Sequence, residues 1–482
     1  MKRPSLPLAV ALVALACTAP VLAQTPPGTI VYTFSYDNDS NLTQVTDALG
    51  RATQFSYDPL NRRSTTLDAN QGNTRFGYDA LDQLTSVTDP RNLVTSYQID
   101  GLGNLNQLQS PDSGTTVNTF DANGNVATKT DAKQQTTQYS YDAMNRLTGI
   151  TYADGSTASY VYDNGANGLG LVTQITDSSG SIQYTYDAGG RMIGEARTIN
   201  ILTSLNGTPT PAVFFTGYAY DGIGRLSSVT YPSGRVVSCQ RDSLGRIVQI
   251  SSARNGVTAV LASQVAYRPF GGVQSYLNSA GNLYARTYDT SGRITGYTLN
   301  GQQHTVAYDG ASNVVATTDA GNSANNTTYG YDVLNRLTSG VSQINNVGYA
   351  YDANGNRTNQ SSGANSSSNT YVTGSNRLQQ VNGEQTVPYT TDANGSITGN
   401  STNQYVYDAR GRMSAAVTPG GNVQYSVNAL GQRVQKVSTA GTIVFEYDKS
   451  GTLIGELNSQ GGVVTGKDYV YLGDIPVAVI DF

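Results

Sequence analysis

The chain has 482 residues, of which 13% are charged, with a formal net charge of −5, one histidine and no tryptophan. A mildly acidic chain without a basic patch is not built for nucleic acid, whose backbone is gripped by clustered Lys and Arg. So few charges also exclude the highly charged kind of disordered chain, while 52 glycines and 33 tyrosines point to many turns between aromatic-bearing strands.

Residues 1–23 read as a secretory signal. Lys2 and Arg3 give the positive start, Leu8 to Ala16 the short apolar run, and Val21-Leu22-Ala23 the cleavage context before Gln24. The stretch is too short to serve comfortably as a membrane anchor. Ala14-Leu15-Ala16 is a poor context for lipid attachment at Cys17. No later segment reads as transmembrane, so the expected mature chain is 24–482, exported to the cell exterior, the periplasm or the cell surface. Cys239 is then its sole cysteine, and packing rather than a disulfide must hold the fold.

From residue 34 onward one phrase recurs: an aromatic, any residue, Tyr, Asp, then a Gly- or Asn-centred turn followed by Arg and an aliphatic. Phe34-Ser35-Tyr36-Asp37, Phe55-Ser56-Tyr57-Asp58 and Phe76-Gly77-Tyr78-Asp79 open it at a spacing of 21 residues. Ile99-Asp100 and Phe120-Asp121 are degenerate copies, and Tyr141-Asp142 and Tyr162-Asp163 restore it. A fixed period of this kind marks a repeat architecture and shifts function from one pocket to a surface or enclosure made by many units.

In the copy from Tyr139 to Gly155, Tyr139 and Tyr141 stand two apart and share one face of a strand. Asp142 opens a turn by accepting from backbone N–H groups two residues on, and Asn145, or Gly224 in its copy, takes the left-handed conformation the reversal needs. Leu147 to Thr151 resumes an extended run, and Ala153-Asp154-Gly155 reverses it again, giving one β-hairpin per repeat. The Leu147-to-Ile150 offset breaks strict alternation and is read as a bulge or as burial on both faces. Ordering such a unit costs roughly 30 kcal/mol, far beyond what two buried aromatics return. Neighbouring hairpins must therefore pair edge to edge and share aromatic ladders, giving a continuous antiparallel sheet that winds as it grows. An insertion around Asn206-Gly207-Thr208-Pro209 and a polar loop at Ser361 to Thr370 interrupt the phrase without ending it.

These residues resemble the YD (Tyr-Asp) repeat of the RHS (rearrangement hotspot) family, over about residues 30 to 480. The resemblance implies an all-β fold, antiparallel β-hairpin YD repeats wound into a spiral sheet or a hollow shell, complete or incomplete. Family members include polymorphic toxins that enclose a C-terminal toxic domain, and the teneurin adhesion receptors. Tyr469 to Val479 resembles the strand leading into the family's core segment, and no toxin domain is visible before Phe482. No cleavage residues are carried over.

Individual chemical candidates are sparse. His304 shares the aromatic face of the strand leading to Tyr308, and a single histidine excludes His-cluster zinc sites. Asp37-Asn38-Asp39, Asp121-Ala122-Asn123 and Asp352-Ala353-Asn354 resemble calcium-loop fragments but fall where the repeat places its turns. Arg146, Arg191, Arg225, Arg246, Arg293, Arg336 and Arg412 recur after the turn, either as a stripe for an acidic ligand or as partners of the turn Asp and a neighbouring Tyr. No catalytic, cofactor or metal residues are therefore expected. The leading expectation is a secreted, non-enzymatic β-shell scaffold for a toxin domain, a partner chain or cell-surface contact. A carbohydrate-binding module stacking cell-surface glycan on tyrosines is the alternative, and a polysaccharide-acting β-solenoid enzyme the remote one.

Overall fold

The computed structural model describes residues 31–269, 271–460 and 463–482. The expected signal, 1–23, lies outside them. The described residues form 42 strands in one open sheet, with a single 3-10 turn at Ser323–Asn325 as the only helix among them. Each strand pairs antiparallel with its neighbours in the chain, from Thr33–Tyr36 on Leu42–Thr46 to Val463–Leu472 on Ile475–Asp481. This is the hairpin strip the repeat predicts. The degenerate copies keep register, with Ile99 opposite Leu105 and Phe120 opposite Val126.

The Asp turn closes as its chemistry requires. The Asp142 Oδ1 accepts from the N–H groups of Met144 and Arg146, both at 2.9 Å, and the Asn145 N–H donates to the Asp142 carbonyl. Asn145 sits at φ 60° and its counterpart Gly224 at φ 86°, the left-handed region that Asn and Gly tolerate best. Immediately beyond, the ladder skips a residue. Tyr141 faces Leu147 while Ser140 faces Gly149, so Thr148 is extra. The same slip recurs at Tyr36, Tyr57, Tyr288 and Tyr447. The broken alternation is thus a bulge, and its repetition bends every hairpin in the same sense.

The strip winds back on itself. Gly310 lies against Ala48 and Leu49, and from there the second coil runs under the first. Partners across the seam are 284 residues apart at Arg51–Asn335 and 233 apart at Arg235–Asp468, so successive coils tighten along the chain. Two rows of turns border the strip, the Tyr-Asp turns on one edge and the connecting turns on the other. The connecting turns of the first coil rest on the Tyr-Asp turns of the second.

The wall is thin at first; the first buried apolar side chain is Ala158. It thickens where the coils overlap most closely. There Tyr231, Ile250, Leu261, Ala262 and Tyr276 pack against Ile454, Val470, Leu472 and Ile475.

Two expectations need correction. Ser361 to Thr370 is not a loop but a hairpin, Arg357–Ser362 on Asn365–Tyr371, because pairing on both sides holds strands whose own side chains bury little. Aromatic ladders are also scarce. Among the described residues ring contacts are confined to Tyr276 on Tyr284 and Tyr297 on His304, since the repeat tyrosines face guanidinium groups instead. The Asn206 insertion lengthens its hairpin, Met192–Ile201 with Thr210–Tyr220, into a tongue that reaches the second coil.

Candidate functional site

Two devices recur along the row of Tyr-Asp turns. The first is a hydroxyl stitch. The Tyr162 Oη donates to the Leu147 carbonyl at 2.9 Å, Tyr141 to Val126, Tyr331 to Val314 and Tyr351 to Leu337. The receiving carbonyl belongs to the preceding repeat. Its ladder with the next strand has already ended, at Gly149 opposite Ser159, so the hydroxyl satisfies an acceptor the bulge leaves over. Where tyrosine is missing, another donor takes the same carbonyl: Asn118 reaches Leu105 beside Phe120, and Arg241 reaches Leu226. Tyr162→Phe is expected to cost about 1 kcal/mol in urea unfolding, the net worth of one hydrogen bond, whereas Arg241→Tyr is expected to be tolerated.

The second device is an arginine clamp. The Arg146 Nε pairs with the Asp142 Oδ2 at 2.7 Å, its far nitrogens hold the Asp163 carboxylate of the next turn, and its guanidinium lies 4.4 Å from the Tyr162 ring centroid. Arg62, Arg293 and Arg336 make the same pair with their own turn Asp and the same ring contact, but reach the next turn at the Asp79, Asp309 and Asp352 carbonyls. Arg412 departs from it: Arg410 takes the Asp408 carboxylate, and Arg412 reaches the Asn428 carbonyl. The recurrent arginines therefore act within the wall: Arg191, Arg225 and Arg246 hold their own turn carboxylates, and Arg62, Arg146, Arg293, Arg336 and Arg412 reach the next turn. The turn carboxyls respond. Asp142 is held below the usual carboxylate range, first by the Arg146 N–H and then by its side chain.

The seam uses the same residue types at long range. The Asp112 carboxylate accepts from Ser375, the Asn376 backbone and the Asn376 side chain, and the Arg377 Nε reaches the Asp112 carbonyl at 2.6 Å. Asn354 donates to Asp89 and Asn394 to Asp131, both at 2.6 Å. Further along, the Gln435 amide and the Thr442 hydroxyl hold the Leu202 carbonyl of the tongue. A cleft of about 440 Å³ opens along the seam, lined among others by Lys129, Tyr139, Tyr152, Arg410 and Arg412.

Where the coils pack tightest, charged groups are sealed in. Arg235 Nε meets the fully buried Asp468 at 2.7 Å, with the Ser233 hydroxyl on the same oxygen at 2.8 Å. Arg197 pairs with Glu195 and reaches the Gln432 Oε1 at 2.6 Å. Glu446 lies beside them, and its carboxyl is pushed up to about 8 by burial and then by the Asp468 charge, with Arg197 opposing. Burial also raises Glu195. Sequence reasoning missed these acids. A signal existed at Glu446, which occupies the middle of Phe445-Glu446-Tyr447 where Ser140 and Val161 face solvent in other copies.

The singled-out residues fall in ordinary places. His304 stacks on Tyr297 at 4.9 Å between centroids, 4.0 Å from the Asp319 carboxylate. Cys239 packs against the core, and burial raises its thiol. The calcium-like fragments spend their carboxylates on their own turns, Asp121 on Asn123 and Asn125, Asp352 on Asn354 and Asn356. Among the described residues no group of three His, Cys, Asp or Glu is placed to hold a metal ion, and no helix is long and apolar enough to cross a membrane.

Stitched, clamped and wound, the strip is a YD-repeat wall. The RHS Repeat family model matches residues 36–74, 78–115, 120–157, 167–198 and 220–258, and the Teneurin YD-shell model matches 276–465. The chain belongs to the RHS/YD-repeat family. Its fold is similar to the crystal structure of TcdB2-TccC3, with TM-score 0.74 and 16% identity over 91% of this chain and 28% of that one. TcdB2-TccC3-Cdc42 gives TM-score 0.75 and 17% identity over 91% of this chain and 28% of that one. The Photorhabdus luminescens Tc holotoxin pore carrying TccC3-D651A gives 0.74 and 16% over 91% and 27%. This chain thus spans about 28% of the length of TcdB2-TccC3. Comparison with curated proteins by sequence finds no match.

Proposed function

We propose that this chain is an exported, non-catalytic wall segment of a β-shell that encloses a toxin domain or partner chain. One observation carries the reading. The strip coils over itself and locks coil to coil through Asp112, Asn354 and Asn394, which is how a sheet becomes a wall around a space. Its recurrent polar groups are consumed in building that wall. The turn aspartates hold N–H groups and guanidinium, and the repeat tyrosines give their hydroxyls to carbonyls. That leaves them poor catalytic acids or glycan donors.

The test is co-expression of 24–482 with the coding sequence that follows Phe482. Its product is expected to co-purify with the wall and to resist trypsin that digests it when made alone. Equal digestion rates with and without the wall would refute enclosure.

A second reading, binding of an acidic cell-surface glycan, is favoured only by the seam cleft, where Tyr139 and Tyr152 accompany Lys129, Arg410 and Arg412. Retention on an insoluble acidic polysaccharide, lost in Arg412→Ala, would support it.

A further inference from the structure

Departures from the repeat on three separate elements fall in one place. Early in the first coil the ladder sets an aromatic opposite an aliphatic or a threonine: Phe34 on Val45, Phe55 on Thr66, Phe76 on Val87, Tyr97 on Leu108 and Tyr139 on Ile150. Within that series one pair differs, Asn118 on Lys129. Connecting turns open with Asp47, Asp68, Asp89 and Asp131, and the next one opens with Tyr152. Tips of Tyr-Asp turns hold Leu60, Leu81 and Met144, whereas Arg410 takes that position in the second coil. Lys129, Tyr152 and Arg410 all line the seam cleft. Positions that break a chain's own pattern without a packing gain concentrate at functional sites.

The exchanges leave donors idle. The Arg410 Nε takes the Asp408 carboxylate, whereas in the Asp142 turn that carboxylate belongs to Arg146, the counterpart of Arg412. Arg412 keeps the bond from its Nη1 to the Asn428 carbonyl and makes no ion pair among the described residues. The Lys129 ammonium and the Tyr139 and Tyr152 hydroxyls have no hydrogen-bond partner among the described residues. An idle hydroxyl is not a property of the position, since Tyr231 opens a later connecting turn and donates to the Tyr469 carbonyl. Burial raises the Tyr152 hydroxyl while Arg410 and Arg412 pull it down, so both guanidinium groups act on it. The acid in the lining, Asp131, is spent on the Lys133 and Gln135 N–H groups and on the Asn394 amide.

We propose that the cleft is a binding site for a phosphate or sulfate ester of sugar size, held between the two coils. The free donors come from separate elements: Val126–Thr130, Thr136–Tyr141, the connecting turn at Tyr152 and the second coil's turn after Gln404–Tyr407. A tetrahedral ester presents three acceptor oxygens in different directions and can use donors arriving from several sides. A planar carboxylate offers its lone pairs in one plane and suits a single fork. The ammonium and guanidinium groups supply the charge, with no free carboxylate in the lining to oppose them. A volume of about 440 Å³ falls within the range of small-molecule sites, so the ligand has a body beside its anionic group. The proposal rests on the glycan reading for the site and adds the group that is recognised.

Isothermal titration calorimetry of the chain after signal removal tests it, with glucose 6-phosphate, glucose 6-sulfate, glucuronate and inorganic phosphate as probes. The two esters are expected to bind about tenfold or more tightly than either glucuronate or inorganic phosphate. Lys129→Val and Arg410→Leu each return the repeat's own residue, the second freeing Asp408 for Arg412. Both are expected to keep the native circular dichroism and to bind the esters about tenfold less tightly. Arg246→Ala removes one charge from a turn outside the cleft and is expected to leave ester binding unchanged. Absence of ester binding overturns the proposal, and so does glucuronate or inorganic phosphate binding as tightly as the esters. Ester binding that survives both repeat-restoring substitutions, or falls equally in Arg246→Ala, also overturns it. Retention on an acidic polysaccharide without ester binding overturns it too, while leaving the glycan reading in place.

Discussion

Asp468→Asn is expected to destabilise the overlapped end of the wall by about 3–5 kcal/mol, the usual loss when one partner of a buried ion pair is removed. Asp468 has no exposed surface and Arg235 is 8% exposed, so the guanidinium would stay sealed in without a counter-charge. Two further contacts rest on the same spot, the Ser233 hydroxyl on the Asp468 carboxylate and the Tyr231 hydroxyl on the Tyr469 carbonyl. They join residues 235 and 238 apart in sequence, so the loss falls on the coil-to-coil seam rather than on one hairpin. Arg235→Met together with Asp468→Leu removes both charges and fills their space, and is expected to recover most of the loss. Urea unfolding of the three variants measures it. A loss below about 1 kcal/mol for Asp468→Asn would place the pair among weakly contributing surface bridges and deny the seam its anchor.

The hairpin and its turn were legible because their causes are local. Asp142, Asn145 and the strand pair Tyr139/Tyr141 lie within a few residues, and each carries one dominant physical role. The tyrosine stitch was half legible. The period marks Tyr162 as indispensable, but its target, the Leu147 carbonyl, belongs to the previous repeat and has no side-chain signature. The arginine clamp was anticipated in kind, with the exception at Arg412. The winding was expected, but the residues that lock coil to coil were hidden for a stronger reason. Asp112, Asn354 and Asn394 look like any other turn residues, and the period explains them fully before their long-range partners are considered. The hairpin at Ser361 was misread because serine and asparagine favour turns locally, whereas here pairing on both sides decides.

Glu446→Gln is expected to remove most of a fall in stability that the native wall undergoes between pH 5 and pH 8. The Glu446 carboxyl titrates at about 8 in the folded chain, and at about 4.3 when unfolded and solvated. Between those values the folded state keeps a proton that the unfolded state has released. The group's contribution is therefore fullest below the lower value and is lost as pH rises through the higher one, on the order of 5 kcal/mol in total. Burial is the main cause, and the neighbouring Asp468 charge adds to it. The turn aspartates act with the opposite sign. Asp142, Asp187 and Asp221 are held below their ordinary value by backbone N–H bonds, so their contribution is present above about pH 4 and lost as pH falls below it. The two trends together place maximum stability near pH 5. Glutamine keeps the shape of the protonated acid and cannot ionise, so the variant's urea midpoint should fall much less from pH 5 to pH 8 than the native midpoint, the remaining fall being that of Glu195, whose carboxyl burial also raises. Parallel declines in both proteins would mean that the buried acid is not what the alkaline side of the profile reports. Asp468→Asn separates the two contributors: it removes the neighbouring charge, so the native decline should end at a lower pH and be smaller in total without being abolished, because burial remains.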